Sequence, residues 1–233
     1  MHQYLKDKII YDLKLYGIHI HENKVELLSI FIQELEEWNK KINLVGTDDI
    51  ERIINELVID SLLPLKNIPS HGSILDIGSG AGFPAIPLKI CCPDLLFHLV
   101  EPLDKRVSFL KQVVRSAKLK DIVIIKGRIE DVSSSLITSG YEIVTSRAMA
   151  PLAKTIEICG QYVKNEGILI CFQGDEAMGL VAMGSKETER HNLQLEEIKP
   201  YKLPGLKKHR HIIIFKKVND ILFSRNNNTS FKV

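Results

Sequence analysis

Cysteine is scarce. The four residues, Cys91, Cys92, Cys159 and Cys171, all sit inside apolar runs and form no Cys-x-x-Cys pair. That usage excludes a disulfide framework and gives no tetrahedral metal set, so reduced core thiols in a cytoplasmic protein are expected, with no metal. Long apolar runs are missing as well. No stretch reaches the roughly 18 residues that a membrane span needs, and charges are scattered through residues 1 to 20, so neither a span nor a secretory signal is expected. Excess charge of one sign is also lacking. With 31 Lys and Arg against 29 Asp and Glu the net charge is +2, so no global basic field announces nucleic acid, and any such surface must be local. Internal repeats and low-complexity linkers are absent. What remains is an ordinary globular composition, 45% apolar and 26% charged, in 233 residues. That length suits one full α/β domain with an extra segment, or two small domains.

Residues 73 to 83, Ser-Ile-Leu-Asp-Ile-Gly-Ser-Gly-Ala-Gly-Phe, followed by Pro84, organise the chain. Ser73 to Ile77 is long enough for one buried strand. Gly78, Gly80 and Gly82 then come at every second position, and a helix is expected from Pro84, since proline is tolerated in a first turn. Strand, glycine turn and helix let a ligand lie against bare backbone. A dinucleotide loop, G-x-G-x-x-G, would place its last glycine at position 83, which is Phe83. The pattern here is D-x-G-x-G-x-G, with Asp76 ahead of the glycines, similar to the cofactor loop of class I S-adenosylmethionine methyltransferases. A second apolar run, residues 95 to 100, ends in Glu101. An acid about 20 residues past a glycine loop is placed to accept hydrogen bonds from a ribose. NAD and S-adenosylmethionine both carry that ribose, so Glu101 supports either.

Periodicity orders the rest. Apolar residues at Leu5, Ile9, Leu13 and Tyr16 predict a helix over 3–16 stopped by Gly17. Leu28, Phe31, Ile32, Leu35, Trp38 and Ile42 predict a second over 23–41, and Asp48 and Asp49 are N-caps for a third. From Ser73 strands are expected at 73–77, 96–101, 122–126, 141–146 and 167–173, and helices at 84–91, 104–118, 129–137 and 151–163. That alternation argues a parallel sheet covered on both faces. A helix over 175–190 and strands over 192–200 and 209–217 follow, closing the sheet with one antiparallel strand. The expected organisation is a helical extension over 1–66 packed on the core, a Rossmann-like domain over 67–218, and a polar tail over 219–233.

Several motifs recur in one order: Trp38-Asn39-Lys40-Lys41-Ile42-Asn43-Leu44, Asp60-Ser61-Leu62, the glycine loop, Lys105-Arg106 ahead of Phe109-Leu110, Gly127-Arg128-Ile129-Glu130, Ser146-Arg147-Ala148 and His209-Arg210-His211. Over roughly residues 25 to 217 this set resembles the bacterial small-subunit ribosomal RNA guanine-N7 methyltransferase family, also known as glucose-inhibited division protein B. The resemblance implies a class I methyltransferase fold of α/β type, with a mainly parallel seven-stranded sheet and S-adenosylmethionine as cofactor. It implies transfer of a methyl group to N7 of a guanine in 16S rRNA. By position, cofactor contacts fall on Gly78, Phe83, Ile129, Glu130 and Arg147, joined by Asp76, Gly80 and Glu101 from the class I pattern. Arg147 could hold the cofactor's carboxylate or an RNA phosphate.

The implied chemistry needs no general base, because guanine N7 is an acceptor with no proton to lose. No nucleophile–base pair is recognisable, and no catalytic residue is assigned; Arg147 and Arg128 are candidates for orienting the guanine. RNA contacts are expected from Arg106 and Arg210, with Lys105 and Lys208 beside them. The expected partner is 16S rRNA or the small subunit, with no membrane, and a monomer is the default. Two departures from the family pattern stand on the RNA side: Gln173-Gly174 where Lys-Gly is common, and Leu57 where His is usual. An NAD-dependent oxidoreductase and a non-catalytic RNA-binding assembly factor are the competing readings.

Overall fold

The first apolar stripe forms α1, His2–Leu15. It closes as foreseen at Gly17 (φ +68°), with the Ile18 N–H on the Leu13 carbonyl and the Gly17 N–H on that of Lys14. In the computed structural model, which describes residues 2–147, 149–174, 185–203 and 209–219, two compact units are distinguished, Met1–Leu136 and Ile137–Val233. The helices before residue 67 therefore share a unit with the first strands.

In the first unit α2, Glu22–Ile42, buries Leu28, Phe31, Ile32 and Leu35 of the predicted stripe, with Val25 beside them, while Trp38 and Ile42 are half-buried. Asn39 explains the Trp-Asn motif structurally. Its amide donates to the Thr47 carbonyl and Asp48 Oδ1, and its oxygen accepts the Val45 N–H, stapling the loop after α2. Asn43 takes the left-handed position (φ 48°) that ends the helix. Asp49 caps the next helix through the N–H groups of Glu51 and Arg52, as expected. That helix is not continuous: α3, Ile50–Ile53, widens into a π-helical stretch, Ile54–Ile59, before α4, Asp60–Leu62. Ser61 donates back to the Leu57 carbonyl at 2.5 Å, a bond that competes with the regular ladder.

Strand β1, Ser73–Ile77, is buried throughout and pairs in parallel with β2, Leu96–Glu101, which pairs in parallel with β3, Ile122–Lys126. Helices α5, Ala85–Cys91, and α6, Asp104–Ser116, follow β1 and β2. Lys89 is buried on α5, where burial lowers its pKa. Its ammonium group is nevertheless satisfied by the carbonyls of Pro93 and Leu95, at 2.8 and 2.5 Å. The helix expected over 129–137 does not form. A turn closes from the Asp131 N–H to the Arg128 carbonyl, and only Ser133–Ser135 coils, as a 3₁₀ turn. Three consecutive serines compete with the backbone for hydrogen bonds and favour turns over helix.

The second unit contains β4, Tyr141–Arg147, α7, Leu152–Cys159, β5, Val163–Gln173, α8, Ser185–Arg190, β6, Leu193–Tyr201, and β7, Arg210–Lys217. Here α7 is shorter than the 151–163 expected, ending in a 3₁₀ turn, Gly160–Tyr162. Strand β5 starts at 163 rather than 167. Its polar opening, Lys164-Asn165-Glu166, bulges, with Glu166 at φ 64°, and the register slips between Tyr141↔Val163 and Ile143↔Ile168. Of the helix expected over 175–190 only α8 falls among the described residues, and the tail beyond residue 219 lies outside them. The seven strands follow the order β3-β2-β1-β4-β5-β7-β6, with β7 antiparallel to both of its neighbours. This is the mainly parallel α/β sheet with one reversed strand that the alternation of elements predicts.

Candidate cofactor site

The site begins where β1 ends. The N–H groups of Gly78 and Ser79 both reach the Val100 carbonyl on β2, at 2.9 and 3.1 Å. The Ser79 hydroxyl donates to the Asp76 carbonyl, and the Gly82 N–H to that of Ser79. Gly78, Gly80 and Gly82 have φ of 78°, 56° and 86°, a left-handed backbone that side chains with a Cβ resist. The glycines differ in what surrounds them. A Cβ on Gly82 would stand 2.6 Å from Ile86 Cγ1 and 3.1 Å from Leu110 Cδ2, so this glycine lets the loop pass between α5 and α6. A Cβ on Gly80 would meet only the Gly78 carbonyl at 3.8 Å and Arg106 Nη1 at 3.9 Å. Among the described residues nothing covers that side of the loop more closely, as a backbone cradle for a ligand requires.

Glu101 closes the loop from the neighbouring strand. It is buried, at 1% exposure, and both oxygens are engaged: Oε2 accepts the Gly80 N–H at 2.8 Å and Oε1 the Leu103 N–H at 2.9 Å. A carboxylate has about four lone-pair sites, so two remain for hydroxyl donors. The acid therefore ties the loop and keeps capacity for a diol. Arg106, expected on an RNA surface, also approaches this loop, with Nη1 4.0 Å from Glu101 Oε2. The Gly127 N–H donates to the Glu101 carbonyl at 3.2 Å, so the turn carrying Arg128, Ile129 and Glu130 begins beside the acid's own backbone. Ile129 is buried there, while Arg128 and Glu130 are exposed.

Asp76 is buried at the strand end. Phe83 is a packing group first: its ring lies 5.0 Å from that of Phe31, which in turn faces Phe109 at 6.3 Å. Trp38 stands edge-on to Phe109 at 5.8 Å, in keeping with its place on the apolar stripe. Leu103 was not foreseen. Its side chain is 54% exposed beside Glu101, a large apolar group at the mouth of a polar site. In the second unit Arg147 ends β4 and Arg210 opens β7, both half-buried. Lys105 is exposed on α6, and Lys208 lies outside the described residues. Among the described residues no group of His, Cys, Asp and Glu could hold a metal ion. The exposed cradle and its spare carboxylate lone pairs fit an adenosine-bearing cofactor.

Comparison with known proteins agrees. Residues 24–213 match the family model described as rRNA small subunit methyltransferase G, GidB. The chain belongs to that family. Relatives within it include the ribosomal RNA small subunit methyltransferase G of Lachnoclostridium phytofermentans, 34% identical over 91% of this chain and 88% of the relative. That of Oceanobacillus iheyensis is 33% identical over 91% and 90%. Solved structures share the fold at low identity. A methyltransferase from Pyrococcus furiosus superposes with TM-score 0.57 at 13% identity, covering 82% of this chain and 98% of that one. Aeropyrum pernix fibrillarin, solved with natively bound S-adenosyl-L-methionine, gives 0.53 at 16%, covering 67% and 72%. As a GidB-family methyltransferase the chain uses S-adenosylmethionine, and among its described residues no helix is long and apolar enough to cross a membrane.

Proposed function

We propose that this chain transfers the methyl group of S-adenosylmethionine to N7 of a guanine in 16S rRNA, acting as a cytoplasmic monomer. One observation carries the cofactor half: a buried acid at the end of β2 grips the uncovered glycine loop after β1 and retains lone pairs for a ribose. Gly78 and Gly80 offer bare backbone, Leu103 offers an apolar face for the adenine, and Ile129 and Glu130 follow the next strand end, where its edge would lie. Asp76 offers a carboxylate to the ammonium group, and Arg147 a guanidinium to the carboxylate. Bound there, the cofactor supplies an electrophilic methyl group. The protein's part is to hold the guanine in line with that methyl and exclude water, because N7 brings its own lone pair.

RNA binding has a local source. Lys105, Lys111 and Arg115 are exposed along α6, and Lys118 and Lys120 follow it. No ion pair to these five is found among the described residues, whereas Lys40, Lys126 and Lys154 are paired with Glu37, Asp104 and Glu157. Five unpaired cations on one helix and its exit suit a phosphate backbone better than a folding role. Reversing Lys111 and Arg115 to glutamate is expected to weaken small-subunit RNA binding at least tenfold and to flatten its salt slope by about two counterions. An unchanged slope in a filter-binding series would remove α6 from the interface. The reading as a whole is tested by mapping N7-methylguanine in small-subunit RNA, free and in subunits, after incubation with the purified protein and labelled cofactor. One modified guanine is expected, and none would leave a binding factor.

A further inference from the structure

The carboxyl ends of β4 and β5 carry polar atoms that nothing in the cofactor site uses. Ser146 lies 1% exposed at the end of β4. Its hydroxyl, like Gln173 Nε2 at the end of β5, is buried without a hydrogen-bond partner among the described residues. A buried polar atom left dry costs about 1–3 kcal/mol, so such atoms point to something that completes them. Open α/β sheets bind ligands at this edge.

Strand register brings a third group to them. Ser146 pairs with Cys171, and Gln173 stands two residues further along the same strand face. Gln173 pairs directly with His211 across the antiparallel β5–β7 ladder. Directly paired residues share a face, and side chains alternate with period two, so all three project from one side of the sheet. Ser146 and Gln173 are then about 8 Å apart, from the strand spacing and rise. Arg147 pairs with Phe172 and so falls on the opposite side.

The hydrogen-bond character of the face can be read off. His211 is 8% exposed, and its Nδ1 lies 3.1 Å from the Gly174 carbonyl. A carbonyl only accepts, so Nδ1 carries the hydrogen, and in the imidazole tautomer with its hydrogen there Nε2 is the acceptor. The face thus presents an acceptor from His211, a donor with its own carbonyl oxygen from Gln173, and a hydroxyl from Ser146 that does either. Cys171, fully buried and protonated, with burial pushing its thiol up to about 12, makes the floor between them uncharged. A phosphate would find no lysine or arginine among these groups. A neutral heterocycle with donors and acceptors side by side fits them, and guanine has that edge: N1–H and N2–H₂ beside O6.

We infer that Ser146, Gln173 and His211 form the seat for the hydrogen-bonding edge of the target guanine. This rests on the methyl-transfer reading above. The seat selects the base, while Glu101 and the glycine loop bind the cofactor, so the two separate experimentally. Cofactor affinity by calorimetry and single-turnover methylation are measured for the wild type, Ser146→Ala, Gln173→Leu and His211→Ala. The RNA carries guanosine or inosine, which lacks the 2-amino group, at the mapped position. Ser146→Ala only removes a dry hydroxyl, so it keeps the test open if another variant fails to fold.

Cofactor affinity is expected to stay within about twofold of wild type, while kcat/KM on guanosine falls about 10- to 100-fold per variant. The preference for guanosine over inosine should collapse toward unity in Gln173→Leu or His211→Ala. Full-rate turnover by Ser146→Ala and Gln173→Leu, or rate losses that follow cofactor affinity, would overturn the seat while leaving the methyl-transfer reading intact. A wild type that binds cofactor but methylates no guanine would overturn both.

Discussion

Glu101→Ala is expected to weaken S-adenosylmethionine binding by at least about 100-fold. Two charge-assisted hydrogen bonds to ribose hydroxyls, each worth about 1.5–3 kcal/mol, account for a loss of that size. The same change strips the acceptor from the N–H groups of Gly80 and Leu103. Unfolding is therefore also expected to move to lower temperature, and binding must be measured well below it. Glu101→Gln separates the two effects. Its amide oxygen can still accept one loop N–H, so the loop should hold, yet the charge and one acceptor are gone. About tenfold weaker binding is expected. Calorimetry that finds wild-type affinity in Glu101→Ala would remove the acid from the cofactor site.

Gly82→Ala is expected to cost about 2–4 kcal/mol, combining left-handed backbone strain with overpacking. The added methyl would stand 2.6 Å from Ile86 Cγ1, on a β-branched side chain with little rotameric freedom, and 3.1 Å from Leu110 Cδ2. For a chain of this size that is a fall in Tm of roughly 4–16 °C. Gly80→Ala is the contrast. Its φ of 56° lies in the small region other residues can enter, and its methyl meets nothing nearer than 3.8 Å. It should cost only about 1 kcal/mol yet obstruct the cradle, reducing cofactor affinity with little loss of Tm. Equal Tm losses in the two variants would contradict the distinction.

The difference between these glycines was not legible in the sequence, where they stand in one motif. Their roles depend on Ile86 and Leu110, which only the folded helices bring near. Local patterns were legible where one force dominates. Strand β1 has its expected limits because an apolar run is bracketed by glycine on both sides, and α2 carries its stripe because burial and period agree. The expectations failed where polar segments decide. The Ser133–Ser135 turn replaced a helix, and Lys164-Asn165-Glu166 joined β5 through a bulge that no alternation announces. Arg106 was legible as part of a motif but not as a neighbour of Glu101, since its contact crosses from α6 back to the strand end. Gln173 could be noticed in the sequence as a departure from the family pattern. That it shares a face with Ser146 and His211 follows from two ladders whose register the sequence does not state.

Strand β7 lies between β5 and β6 in the sheet, although it comes after both in the chain. During synthesis the first unit has all its strands once residue 136 has emerged, and domains generally fold as units in that vectorial order. The second cannot close until Arg210–Lys217 arrive, leaving β6 without a hydrogen-bonded neighbour for the interval. A nascent polypeptide would thus display the glycine loop and its gripping acid well before Ser146, Gln173 and His211 come to share one face of the sheet.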